Sequence, residues 1–147
     1  MTDRADAPWP GSKANALLTL TETGMLLYWL LAALMATGLL SLPPQWMYPD
    51  HTQPVMVAWN WSFFPIDALF ALLGLSARFA VKDAARQQVL TVCALSLMFC
   101  AGVMALSFWI IQGSFDPLWW GMNLWLVILP VGVLARRLWQ APQPLSV

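Results

Sequence analysis

The stretch VAWNWSFFPIDALFALLGL, Val57 to Leu75, decides the fold. It is apolar enough to enter a bilayer, where roughly 20 such residues cross about 30 Å of hydrocarbon. It also carries Asn60, Pro65 and Asp67. A backbone in hydrocarbon must satisfy its own hydrogen bonds, so a segment of this kind is a helix. Pro65 removes the donor that the carbonyl of Trp61 would use and predicts a kink there. An Asp facing lipid at mid-depth costs about 2.5–3.5 kcal/mol on insertion scales, so Asp67 should face the interior of a bundle and lower its cost by staying protonated.

Three more apolar segments flank this one. The four predicted spans are residues 17–42, 55–77, 88–111 and 118–135. Pro43 and Pro44 stop the first, and Pro54 and Pro117 stand at helix starts, where a missing N–H has no consequence. Of the 147 residues 60% are apolar and only 10% charged, against about 25% charged in a soluble domain. Net charge is zero, which argues against a nucleic-acid partner. The predicted fold is an all-α membrane protein, a four-helix up-down bundle spanning residues 16–137. Residues 1–15 and 138–147 read as Pro-rich, polar, disordered cytoplasmic tails.

Orientation follows from the basic residues. Arg4 and Lys13 precede the first span, Arg78, Lys82 and Arg86 lie between the second and third, and Arg136 and Arg137 follow the fourth. The opposite loops hold Asp50, His51 and Asp116 but neither Lys nor Arg. The positive-inside rule puts both termini in the cytoplasm. So strong a bias does not fit the small multidrug exporters that insert both ways round, although Glu22 superficially resembles their acid. The first span reads as a retained anchor, because its uncharged stretch 24–42 exceeds a signal-peptide core of roughly 7–15 residues.

The polar residues of the spans fall in two layers. Asn60, Ser107 and Asn123 form an outer layer. Asp67 lies in a middle layer, with Tyr28 and Ser96 as candidate partners. Asn60, Phe64, Asp67, Ala71 and Gly74 follow at spacings of 4, 3, 4 and 3 and share one helical face. Trp46, Trp59, Trp61, Trp109, Trp119 and Trp120 gather toward the outer side. An interfacial aromatic belt explains part of this, but few tryptophans balance it on the inner side. The excess, with Trp125, Tyr48 and Phe115, suits the roof of an apolar pocket. That pocket is expected between the second, third and fourth spans, opening outward, with Asp67 and Asn60 as polar anchors and Trp59, Trp61 and Trp120 as walls. Its occupant would be a small hydrophobic molecule, or an amine held by aromatic faces with Asp67 as counter-ion. Simple packing between helices explains Asp67 equally well.

Other features narrow the field. Glu22 lies near the cytoplasmic boundary, level with Arg78, and an ion pair between them is expected. Cys93 and Cys100, about 10 Å apart on a helix rising about 1.5 Å per residue, cannot form a disulfide and read as buried packing residues. A single histidine, His51, and the lack of any Cys-x-x-Cys, Gly-rich phosphate loop or nucleophile elbow leave no metal, haem, cofactor or catalytic residue to name. Ala32 with Ala36, and Ala101 with Ala105, are spaced for close helix packing.

The segment AWNWSFFPID, with GMLLYWL in the first span, resembles the YvaD-like family of small bacterial four-helix membrane proteins. The likeness implies a bacterial inner-membrane protein and brings no activity or site residue. A looser similarity of pattern, a small bundle with a buried acid among aromatics, links it to the sterol isomerases and the sigma-2 receptor group. Three roles therefore stand open: binding of a hydrophobic ligand, an accessory subunit of another membrane protein, or an enzyme or proton-coupled transporter working through Asp67.

Overall fold

A computed structural model describes residues 9–43, 47–48 and 50–140. It contains five helices and no strand among the described residues: α1 (Ser12–Ala36), α2 (Pro54–Ser62), α3 (Phe64–Phe79), α4 (Ala84–Gln112) and α5 (Pro117–Gln140). α2 and α3 follow one another directly, so the chain has four helical rods long and apolar enough to cross a membrane. Only a minority of each rod is buried, and the exposed residues include many leucines, isoleucines, valines and phenylalanines, among them Leu20, Leu72, Val89, Ile110 and Ile128. Contiguous surface of this kind is foreign to a protein solvated by water.

The helix ends have local causes. α1 stops at Ala36, six residues short of the sequence expectation, because Gly38 takes a left-handed φ of 74°. The N–H of Leu39 then returns to the Leu34 carbonyl and that of Gly38 to Met35, a Schellman closure. Gly113, at φ 70°, closes α4 in the same way, with Ser114 donating to Trp109 and Gly113 to Ile110. Asp83 caps the start of α4 by accepting from the Arg86 N–H at 2.9 Å, and Asp116 caps α5 by accepting from Trp119 at 3.0 Å. Arg4, Pro44, Trp46 and residues 1–8 and 141–147 of the two tails lie outside the described residues, while helix reaches into both expected tails, α1 beginning at Ser12 and α5 running to Gln140.

At the kink expected from Pro65 the helical hydrogen bonding is interrupted for one residue, Phe63, whose backbone stays right-handed helical at φ −81° and ψ −21°. Phe63 separates α2 from α3, and its N–H donates to the Asn60 carbonyl three residues back rather than four. Helical order resumes with Asp67 donating to the Phe63 carbonyl at 3.0 Å. The missing proline donor is thus absorbed by one tightened turn.

Packing order follows the chain: α1 lies on α3, α3 on α4, and α4 on α5. Small residues set the closest approach. Gly102 of α4 has the carbonyl of Asn123 and the side chains of Leu126 and Val127 so near that a Cβ would come within 2.8–3.0 Å of them. Ala94, Ala101 and Ala105 continue the buried row. One apolar cluster, built on Leu18, Phe70, Ala71, Leu95, Met98 and Leu126, fills the half nearer the basic residues. A second, built on Tyr48, Met56 and Trp109 with Trp59, Phe108, Trp119 and Trp120 around it, fills the other end. Cys93 and Cys100 are exposed on the outside of α4, contrary to the buried packing role read from sequence. A helix that is apolar all round gives no signal of which face turns inward.

Candidate functional site

Between the two clusters, α1 and α5 diverge. They are the two ends of the packing row, and the gap between them forms a cleft of about 630 Å³. α1 contributes Gly24, Met25, Tyr28 and Trp29, α5 contributes Gly121, Met122, Asn123 and Trp125, and α2–α4 supply the floor with Trp59, Asn60, Asp67, Ala101 and Trp109. Two hydrogen bonds pin the seam below the cleft: Trp125 Nε1 donates to Thr21 Oγ1 at 2.9 Å, and Trp9 Nε1 to the Val133 carbonyl at 3.4 Å. The Arg137 guanidinium stands over the Trp9 ring at 5.6 Å.

Asp67 is only 6% exposed, at the middle of the Pro54–Phe79 rod. Its Oδ2 accepts from Trp29 Nε1 at 3.1 Å, while Oδ1 is buried without a partner. Trp29 is itself clamped by Tyr28, Trp61 and Phe64, with ring centroids 5.1, 5.3 and 5.3 Å away. Tyr28 does not reach Asp67; its hydroxyl donates to Asn60 Oδ1 at 2.9 Å. Two adjacent residues of α1 thus hold two polar residues of the α2–α3 rod, Asn60 and Asp67. Tryptophan is a donor only, and this is why Trp29 suits a carboxylate where a tyrosine would have been the first guess.

The residues expected to share a site are divided by the structure. Asp67, Asn60, Trp59, Tyr28 and Asn123 line the cleft. Asn123 donates from Nδ2 to the Trp119 carbonyl at 2.8 Å, within its own helix. Trp61 and Phe64 lie behind Trp29, and Phe64 is 43% exposed. Of the residues spaced 4, 3, 4 and 3, Asn60 and Asp67 line the cleft and Ala71 and Gly74 are buried, whereas Phe64, in the first turn of α3, covers Trp29 from outside the cleft. Trp120 packs on Phe115 and donates to the Ser114 carbonyl at 3.2 Å. Ser107 and Ser96 are exposed on the outside of α4. Each is two residues, about 200° around a helix of about 3.6 residues per turn, from the inward row that holds Ala94, Met98, Ala105 and Trp109. The cleft itself lies between the first and last rods rather than among the second, third and fourth. Its missed members include Trp29, Met25, Gly24 and Gly121, and of these only Trp29 carries a polar signal.

A second polar contact ties α1 to α3 nearer the basic end. Glu22, 1% exposed, pairs with Arg78, whose side chain is 9% exposed, as expected from their matching depth. Gly74 makes the room: a Cβ there would fall on the Glu22 carboxylate.

Together these features define a class, a bundle of four span-length helices, all-helical among the described residues, with an acid at mid-length lining an apolar cleft. The chain belongs to the Family of unknown function (DUF5360), which matches residues 14–143. It is 38% identical over 112 residues to "Uncharacterized protein YvaD" of Bacillus subtilis (strain 168), covering 76% of this chain and 80% of that one. The YvaD-like character read from AWNWSFFPID is therefore shown. No solved structure matches the chain.

Proposed function

We propose that this is a non-enzymatic protein of the bacterial inner (plasma) membrane, with both termini in the cytoplasm, that binds a small hydrophobic ligand in the cleft between α1 and α5. The observation that carries this reading is the cleft itself: a volume of about 630 Å³, apolar walls, and a few polar atoms converging from Asp67, Asn60 and Asn123. Ligand sites of small molecules have this size and composition. Entry between α1 and α5, the two helices that flank the cleft, would give a lipid-borne molecule a route in that needs no passage through water.

Topology has its own support. Lys13 at the start of α1, Arg78, Lys82 and Arg86 around the α3–α4 turn, and Arg136 and Arg137 near the end of α5 all belong to one end of an alternating bundle. Asp50, His51 and Asp116 belong to the other. The bacterial membrane is supported by the Bacillus subtilis relative.

The test is native mass spectrometry of the full chain released from gentle detergent, compared with a Gly24→Leu, Gly121→Leu double variant. Both glycines line the cleft and a Cβ added to either would meet nothing within 4 Å, so side chains begun there can grow into the cleft. A reproducible added mass in the wild type, lost from the double variant, supports a ligand site and identifies the ligand. An empty wild type, or one holding bulk phospholipid to the same extent as the double variant, overturns the reading and directs attention to a partner membrane protein.

A further inference from the structure

We propose that the cleft takes a lipophilic amine, with its nitrogen seated on the free oxygen of Asp67. This rests on the cleft being a ligand site and names the chemistry of its occupant. Asp67 is more than nine-tenths buried, lines the cleft, and leaves Oδ1 without a partner while Oδ2 holds Trp29. Both protonation states leave that oxygen short. As a carboxylate it lacks a second donor. As an acid it lacks an acceptor for its proton, because the indole N–H of Trp29 can only donate. Buried polar atoms without partners are few in folded proteins and call for an explanation.

Charge selects among the molecules that could fill the gap. The residues lining the cleft include no Lys, Arg or His. Arg78, the basic side chain buried nearest the basic end of α3, is engaged with Glu22. Any counter-charge for Asp67 must therefore come with the ligand. An ammonium–carboxylate pair brings no net charge into the apolar interior, whereas a carboxylate ligand would set like charges together. The walls suit the same occupant. Tyr28, Trp59, Trp109 and Trp119 line the space, and the faces of aromatic rings attract cations. An alcohol could donate to Oδ1 as well, but it supplies no charge and gains little from those faces.

One feature favours a rival. Trp109 Nε1, also lining the cleft, is buried without an acceptor and could receive the carboxylate of a fatty acid. The experiment therefore compares three probes of one chain length, undecylamine, undecanol and undecanoate, by native mass spectrometry of the full chain under rising probe concentration. Wild type should form a one-to-one adduct with undecylamine at about a tenth of the concentration undecanol needs, the scale of one charge-assisted hydrogen bond, and reject undecanoate. Asp67→Asn should bring the amine down to the level of the alcohol and leave alcohol binding unchanged. Equal binding of amine and alcohol by wild type, or preference for undecanoate, overturns the amine while the hydrophobic site stands. No probe binding that the Gly24→Leu, Gly121→Leu variant abolishes overturns the site itself. Should the Asp67→Asn protein not fold, the three-probe comparison in wild type decides alone.

Discussion

Gly74→Ala should destabilise the wild-type protein and stabilise one that lacks the Glu22–Arg78 pair. The added methyl falls on the Glu22 carboxylate, the far end of a flexible side chain. Steric relief is therefore easy, because Glu22 can swing away. The cost lies in what it leaves behind. Breaking a buried ion pair by removing one partner costs about 3–5 kcal/mol, and both members here are at least nine-tenths buried. Against that, alanine in place of glycine inside a helix contributes about 1 kcal/mol. The net loss in wild type is then about 2–4 kcal/mol. In a Glu22→Ala, Arg78→Met background the methyl meets open space, and only the helical gain of about 1 kcal/mol remains. The assay is reversible unfolding in mixed micelles followed by tryptophan fluorescence, run on all four proteins of the cycle. An effect of the same sign, equal within about 0.5 kcal/mol in both backgrounds, would refute the coupling of Gly74 to the pair.

Three further outcomes are expected. Gly102→Ala should lower stability by about 1–3 kcal/mol, since its methyl meets the Asn123 backbone, whereas Gly121→Ala, with open space around it, should raise stability by about 0.5–1 kcal/mol in the same unfolding assay. Trp29→Phe keeps a ring among Tyr28, Trp61 and Phe64 but leaves both oxygens of Asp67 unpartnered, at about 1–3 kcal/mol; with Asp67→Leu in the background that loss should largely vanish in the same titration. A reporter active only in the cytoplasm should be active when fused after Val147, and activity of an exported-side reporter at that point would reverse the topology.

Much of the scaffold was legible because hydrophobic length and proline position act locally. The four rods, the disturbance at Pro65 and the inward turn of Asp67 follow from single segments. The Glu22–Arg78 pair was legible from depth alone, since both lie about equally far from the basic end. Rotation about each helix axis was not. α4 is apolar on every side: the Ala101–Ala105 spacing marks a packing face, but nothing in its sequence says that Trp109 turns inward and Ser96, Cys100 and Ser107 outward. Gly102 escaped notice for a related reason: a glycine in an apolar run reports its purpose only when the opposing backbone is known. Trp29 was hidden among ten tryptophans, most of which have an interfacial explanation.

The cleft has a physical origin in how α1 is attached. α3–α4 and α4–α5 pack through small residues at close range, with Gly102, Ala94, Ala101 and Ala105 admitting the neighbouring helices. α1 buries little, with Leu18, Glu22 and Trp29 the residues it hides most fully. It is held instead by three polar links at three depths, Glu22 to Arg78, Trp29 to Asp67 and Tyr28 to Asn60, and all three run to the α2–α3 rod. In hydrocarbon, helices gain nothing from hiding apolar surface, because lipid covers it equally well, so packing and polar contacts decide where a helix sits. These three links set the register of α1 against α2–α3, while the Thr21–Trp125 bond ties α1 to α5 lower down and leaves the space above that bond open. An apolar residue at 67 would remove the central link, and α1 would then have less reason to stand away from α5. The buried acid and the open seam are two consequences of one arrangement, and a ligand that engages Asp67 acts on the contact that holds the cleft open.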